Sequence, residues 1–196
     1  VARCDQRSPD PSDGAGALSE VELAGSLCRL RPYRSDDVDA LQALANDPAV
    51  SRWMNALFPY PYTRSDAESW VAVATQESPP KSYVIVVDGA FAGAVGAYPQ
   101  TGEHRGCAIF GYWLGRPFWG RGIATDAARA LARYALGEGG LRRLEATVFA
   151  PNAVSARVLE NAGFTFEARL RASYVERDGT VCDGLLYSRL ASDPEP

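Results

Sequence analysis

Gly111-Tyr112-Trp113-Leu114-Gly115-Arg116-Pro117-Phe118-Trp119-Gly120-Arg121-Gly122-Ile123-Ala124-Thr125 decides how this chain folds. The apolar run from Cys107 reads as a strand ending near Leu114. Glycine and proline then punctuate a turn. From Ile123 an amphipathic pattern begins, with Ala127, Leu131, Tyr134 and Ala135 on one side and Asp126, Arg129 and Arg133 elsewhere. A glycine-rich turn between strand and helix presents successive backbone N–H groups at the helix start, where the helix dipole favours negative charge. Gly120 and Gly122 carry no β-carbon to hold a phosphate off the backbone, and Ala124 keeps the next turn small. Arg121 adds positive charge beside them. By spacing alone, two readings stay open: a nest for a pyrophosphate, or a plain strand-to-helix turn with glycines for sterics.

The ligand is narrowed by what the turn lacks. A Walker loop requires Gly-Lys-Ser/Thr after the turn, and the only lysine in the chain is Lys81. A dinucleotide fingerprint places a third glycine where Thr125 stands, although Glu145 lies at a tolerable distance to serve as a ribose acid. A coenzyme A pyrophosphate would use the same nest.

Outward from this stretch, helical and extended patterns alternate. Leu27 to Arg31 reads as a strand stopped by Pro32, and Ser35-Asp36-Asp37 caps a helix that ends before Pro48. Ser65-Asp66-Ala67-Glu68 reads as a capping box opening a helix with Trp70, Val71 and Ala74 inward. Tyr83 to Val87 and Phe91 to Tyr98 flank Asp88-Gly89, a hairpin signal. Leu144 to Phe149 is a strand, Ala153 to Ala162 a helix, and Gly163 its C-cap. Strands around Phe164 to Tyr174 and Val181 to Leu190 turn at Asp178-Gly179. The order predicts an α/β chain with one mixed sheet and helices packed against it. Residues 1–25 read as a mobile tail with a helical turn around Val21 to Ala24, 26–191 as one domain and 192–196 as a second tail.

Composition bounds the function. The chain has 196 residues, 46% hydrophobic and 22% charged, which suits one folded domain. With 20 basic residues against 24 acidic ones, the net charge of −4 gives nucleic-acid or anionic-membrane binding no electrostatic basis. Cys4, Cys28, Cys107 and Cys182 are widely separated and His104 is the only histidine, so no metal site is expected. The thiols read as reduced. No apolar run reaches the roughly 20 residues needed to span a bilayer, and a cytoplasmic protein is expected.

Three ordered motifs carry a resemblance. Gly111-Tyr112-Trp113-Leu114, then Trp119-Gly120-Arg121-Gly122-Ile123-Ala124-Thr125, then Asn152 through Gly163-Phe164 resemble the GNAT superfamily of acetyl-CoA-dependent N-acetyltransferases, and within it the ribosomal-protein N-terminal acetyltransferases of the RimJ/RimL type. The similarity runs from about Leu27 to Leu190, including Leu30-Arg31-Pro32. It implies a central, mostly antiparallel twisted sheet of about seven strands with a splayed pair, flanked by about four helices. It also implies acetyl-CoA as co-substrate, an amine acceptor (a protein N-terminus or a small molecule), and a fold compatible with a homodimer.

Site roles follow from the same resemblance. Main-chain groups near Trp113 and Leu114 would meet the pantetheine arm. The pyrophosphate would sit on N–H groups from Gly120 to Thr125, across Arg121, Gly122 and Ala124. Trp119 stands where the superfamily usually has Gln or Arg, and Arg121 is the candidate to compensate. Asn152 and Ser155 are three apart at a helix start, which by spacing alone also fits capping. By resemblance Asn152 contacts the coenzyme and Ser155 lies near its sulfur. Many members place a tyrosine acid where this chain has Leu159, so Ser155 becomes the expected donor to the leaving thiolate.

A further departure lies on the strand. Relatives commonly show Ala-Glu-Ile-Gly-Tyr, and here the run is Ala108-Ile109-Phe110-Gly111-Tyr112, so the glutamate base is missing. A lysine-like amine of pKa about 10.4 costs roughly 4.6 kcal/mol to deprotonate at pH 7, whereas an α-amine near 8 costs about 1. A site without a strong base therefore leans toward α-amines, unless water links it to Glu103, His104 or Glu176. The aromatic stretch Trp53, Phe58, Tyr60 and Tyr62 is expected to pack, with some contact to acceptor; Arg142, Arg143 and Arg157 meet phosphates or solvent. None of the cysteines falls in these motifs, which favours direct attack over a covalent enzyme intermediate. A weak acyl-CoA-binding module and a small-molecule acetyltransferase remain the alternatives, with a dinucleotide-binding protein behind them.

Overall fold

A computed structural model of the chain describes residues 22–196; the expected tail over 1–21, with Cys4, lies outside the described residues. The described chain begins in the sheet. β1 (Leu23–Ala24) pairs antiparallel with β2 (Arg29–Arg31). A strand therefore replaces the helical turn expected there, and ordered structure starts before the expected boundary at 26. The cause is Asp126, whose carboxylate accepts the N–H groups of Ser26, Leu27 and Cys28 at 2.9, 2.7 and 3.1 Å and so pins the connecting loop.

α1 (Val38–Ala45) follows a 3-10 turn in which the Asp37 carboxylate accepts from both terminal guanidinium nitrogens of Arg31 and from the Arg34 N–H. Pro48, expected only to follow this helix, opens a short second one, α2 (Pro48–Ser51), capped by the Asp47 carboxylate on the Ala49 N–H. Proline fits there because a first-turn N–H has no intrahelical partner. α3 (Arg64–Ala74) starts two residues earlier than expected. Its capping box is Thr63 with Asp66, not Ser65 with Glu68. Ala67, Val71 and Ala74 then point inward at i, i+4 and i+7, which leaves Trp70 on the flank at 36% exposure, edge-on to Tyr33.

β3 (Ser82–Val87) and β4 (Ala90–Pro99) form the expected hairpin, with Asp88 and Gly89 both at positive φ, as a tight two-residue turn requires. β5 (Cys107–Leu114), α4 (Ile123–Leu136), β6 (Arg143–Phe149), α5 (Ala153–Asn161), β7 (Thr165–Val175) and β8 (Val181–Leu190) complete the chain. The sheet order is β1-β2-β3-β4-β5-β6-β8-β7, and every pairing is antiparallel except β5 with β6. Among the described residues this is eight strands and five α-helices, the additions to the expected count being β1 and α2.

α4 and α5 cover one face, where Phe110, Leu131, Leu144 and Leu159 are buried; α1 and α3 cover part of the other through Leu41, Val71, Val84 and Phe91. Each such buried side chain contributes roughly 1.5–3 kcal/mol relative to exposure. At the C-terminus, expected as a tail, Glu195 pairs with Arg189, which is only 2% exposed.

The feature that makes a site is a parting of the sheet. β5 and β6 are in register only at Cys107–Arg143, Ala108–Leu144 and Ile109–Glu145. Beyond that point β5 stays paired with β4 as far as Leu114, and β6 stays paired with β8 as far as Phe149.

Candidate active site

The parting opens into two adjoining cavities of about 320 and 380 Å³. The first lies between the end of β5, the glycine turn and the start of α5. Its walls include Trp113, Leu114, Trp119, Gly120, Gly122, Ala124, Thr125, Asn152 and Ser155. Every residue expected at the coenzyme site except Arg121 is thus brought together. Arg121 instead stands 3.9 Å from Asp88 on the β3–β4 turn.

The turn has the backbone an anion needs. Gly120 and Gly122 have φ of +71° and +77°, where a β-carbon is strained, and a β-carbon on Gly120 would meet nothing of the protein within 4 Å. Gly122 caps α4 with no side chain satisfying the first-turn N–H groups. Asp126, a negative charge in that turn, is already engaged by the β1–β2 loop.

Main-chain alternation along β5 sorts the groups at its open edge. Gly115 N–H donates to the Ala92 carbonyl on β4, so Trp113 also faces β4, whereas Tyr112 and Leu114 turn their backbone groups toward the parting. The Leu114 carbonyl accepts the Trp119 indole N–H at 2.7 Å. The Leu114 N–H and the Tyr112 amide groups are the ones left facing the parting. The Trp113 side chain packs with Phe58 and Phe91.

Asn152 and Ser155 combine the two roles that spacing left open. The Asn152 carboxamide oxygen accepts the Ser155 N–H at 3.2 Å, capping α5, while both side chains line both cavities. The Ser155 hydroxyl lies 2.8 Å from the Tyr112 hydroxyl, and Tyr112 also donates to the Ser155 carbonyl at 3.0 Å. Burial pushes the Tyr112 hydroxyl up to about 12, so it stays neutral. Sequence reasoning quoted Tyr112 but gave it no role. The available signal was side-chain alternation, which puts Phe110 and Tyr112 on the α4–α5 face with Ser155.

The second cavity runs through the parting to the other face. Ile109, Gly111 and Tyr98 line it beside Glu145, Phe149 and Tyr174. Ile109 is 48% exposed, and Leu159 is a buried wall with no proton to give. Glu145 is the carboxylate on this wall, held by Arg143 Nε at 2.7 Å. The three groups considered as water-linked bases lie elsewhere. Glu103 and His104 occupy an exposed 3-10 turn, and Glu176, 7% exposed, pairs with Arg52 at 3.1 Å. Arg52 in turn stacks over Trp53, whose ring lines both cavities. Of the early aromatic residues Trp53 alone reaches the cleft: Phe58 packs against Tyr62 and Trp113, and Tyr60 is exposed. Arg142 and Arg143 are committed to the Arg105 carbonyl and to Glu145 and Glu167.

A mixed sheet parted beside a helix start, with a cavity on each side of the parting, defines the class as an α/β protein with room for two ligands at one cleft. The chain belongs to the GNAT acetyltransferases: the family model described as "Acetyltransferase (GNAT) domain" matches residues 28–165. The N-acetyltransferase p20 of Bacillus licheniformis, labelled uncharacterized, is 30% identical over 167 residues, covering 82% of this chain and 91% of that one. Mycobacterium smegmatis RimJ, solved in complex with CoA-disulfide, superposes with a TM-score of 0.77 at 26% identity over 89% of this chain and 90% of that one. A GNAT-family acetyltransferase from Bacillus anthracis shares the fold, with a TM-score of 0.76 at 20% identity over 88% of this chain and all of that one. Among the described residues no helix is long and apolar enough to cross a membrane.

Proposed function

We propose that this chain is a RimJ/RimL-like N-acetyltransferase that moves the acetyl group of acetyl-CoA directly onto a protein or peptide α-amine. The observation that carries the reading is the first cavity, where the glycine turn, the open edge of β5 and the Asn152–Ser155 pair converge. The pyrophosphate rests on N–H groups from Gly120 to Thr125, and the pantetheine arm lies along Tyr112 to Leu114. The Leu114 N–H polarises the thioester carbonyl, and Ser155 faces the sulfur. That Mycobacterium smegmatis RimJ is described with a CoA-disulfide supports this use of the cavity.

The acceptor enters through the second cavity. Its aromatic wall and the Glu145 carboxylate suit a cationic amine as it arrives. With Ile109 where relatives place a glutamate, the amine must be neutral at little cost, which favours α-amines over lysine by roughly 3–4 kcal/mol at pH 7.

Thermal unfolding with acetyl-CoA, with NAD as control, tests the donor site. At about 100 times its dissociation constant a ligand adds roughly 2.7 kcal/mol, a rise of about 5–10 °C for a chain of this size. Acceptor preference is read from initial rates on peptides beginning Ser or Ala, on an N-terminally blocked lysine peptide and on a polyamine. No shift with acetyl-CoA removes the donor reading. Faster acetylation of lysine or polyamine removes the α-amine reading, and binding without turnover leaves an acyl-CoA-binding module.

A further inference from the structure

The transfer moves a proton as well as an acetyl group. The amine nitrogen bonds to the acetyl carbon, the carbon–sulfur bond breaks, the nitrogen sheds one proton and the sulfur gains one. Enzymes of this chemistry need a group on each side, yet Ile109 and Leu159 offer neither a base nor an acid.

Two hydroxyls span the gap. Tyr112 and Ser155 line both cavities and stand 2.8 Å apart, within ordinary hydrogen-bond length. Each hydroxyl both donates and accepts. Tyr112 has a second oxygen to hold its hydrogen at rest, the Ser155 carbonyl at 3.0 Å. With the Tyr112 hydrogen on that carbonyl, the Ser155 hydrogen points to the Tyr112 oxygen. When Tyr112 donates to the Ser155 hydroxyl instead, the Ser155 hydrogen is released toward the first cavity.

We infer that Tyr112 and Ser155 form a two-hydroxyl proton relay that carries the acceptor's proton from the second cavity to the coenzyme sulfur in the first. The amine N–H proton passes to the Tyr112 oxygen, the Tyr112 proton to the Ser155 oxygen, and the Ser155 proton to the sulfur. Both side chains end as they began, and no charged tyrosinate forms. That suits Tyr112, because its burial makes ionisation costly. The relay acts after attack and leaves the arriving ammonium as it is, consistent with a preference for low-pKa amines. The inference rests on the acetyltransferase reading above, and on Ser155 facing the sulfur.

Its test is the kinetic solvent isotope effect in single turnover, with acetyl-CoA and the best acceptor of the peptide panel. In the wild-type chain a rate that curves with deuterium fraction is expected, because more than one proton is in flight; a linear dependence overturns the relay. Tyr112→Phe should lower the transfer rate by about 100-fold, the low end of what a positioned proton donor supplies, and straighten the curve. Tyr112→Phe with Ser155→Ala should be no slower than either alone, since one break stops the chain. An unchanged rate in Tyr112→Phe, or a fall with the curvature intact, assigns the tyrosine to packing and overturns the relay. Acetyl-CoA stabilisation and turnover in the wild-type chain keep the acetyltransferase reading standing in either case. Should Tyr112→Phe lose acetyl-CoA stabilisation, the wild-type deuterium curve decides by itself.

Discussion

Ile109 and Glu145 are the last residues in register between β5 and β6, and the sheet parts immediately beyond them. In a parallel pair, residues in register project from the same face. Both side chains line the second cavity. The carboxylate at this point of the cleft therefore comes from β6, one strand over from the position where the family pattern would put it. It is also partly spoken for, because Arg143 donates to it at 2.7 Å.

That adjacency makes Ile109→Glu an informative change. Ile109 is half-exposed, so a carboxylate there is tolerated, and it would stand beside Glu145. Two neighbouring carboxylates hold one of the pair protonated to higher pH, which makes a stronger base. The rate on a blocked lysine peptide relative to an α-amine peptide should rise by about tenfold or more. A ratio that stays fixed would show that amine deprotonation is not what separates the two acceptors.

Asn152 and Ser155 separate by what each removal costs. Asn152 caps α5 through the Ser155 N–H, so Asn152→Ala should lower stability by about 1 kcal/mol, a fall of about 2–4 °C in melting temperature. Ser155→Ala leaves that cap intact. It should lower kcat sharply with acetyl-CoA affinity and melting temperature little changed. Equal melting losses in the two variants would mean that Ser155 also serves the helix.

The strand–turn–helix from Cys107 to Leu136 was legible to the residue because its signals are local: alternation, glycine punctuation and one apolar stripe. The errors fell where a distant partner decides the local form. Leu23–Ala24 is a strand because Asp126, about a hundred residues away, holds the loop that follows it. Trp70 sits on the flank of α3 because Ala67, Val71 and Ala74 fill its inward stripe, and its ring meets Tyr33 from before α1. Arg121, read by its charge, lies off the wall of the first cavity and within 3.9 Å of Asp88, a placement its local sequence does not carry. The lining of the first cavity was legible as a motif. Tyr112 and Glu145 were not, because their importance comes from which strand parts from which, and no one segment contains that.

The two turn glycines should fail differently. Each sits at positive φ, so alanine at either costs about 1–2 kcal/mol in backbone strain. A β-carbon at Gly122 would also come within 3.3 Å of Leu27, whereas one at Gly120 would meet only open space. That open space is where the phosphates are proposed to lie. Gly120→Ala should therefore weaken acetyl-CoA by about tenfold, one lost phosphate contact, beyond its stability cost. In Gly122→Ala the excess should appear in melting temperature, measured without ligand. If both variants bind acetyl-CoA like the wild-type chain, the glycines serve the turn and not the coenzyme.

Behind the second cavity, Arg143 is shared between Glu145 and Glu167, and Ser188 donates to Glu167 at 2.6 Å. The Arg143 guanidinium first, and the Ser188 hydroxyl second, hold the Glu167 carboxyl down at about 2 from an ordinary 4.5. A carboxylate whose folded pKa is depressed gives stability that is present above its unfolded pKa and lost as pH falls through the folded one. For Glu167 that window runs from about 4.5 down to about 2. Urea unfolding at pH 6 and pH 3 should show wild-type stability falling between the two, and Glu167→Gln should flatten the fall, since it removes one of the carboxylates that must protonate. The variant also frees Arg143 to pair with Glu145 alone, so it should raise KM for a cationic acceptor more than it changes kcat. Parallel pH slopes in the two proteins would mean that solvent screens the Arg143 pair as it does other exposed ion pairs, and an unchanged KM would mean that Glu145 is already fully held in the wild-type chain.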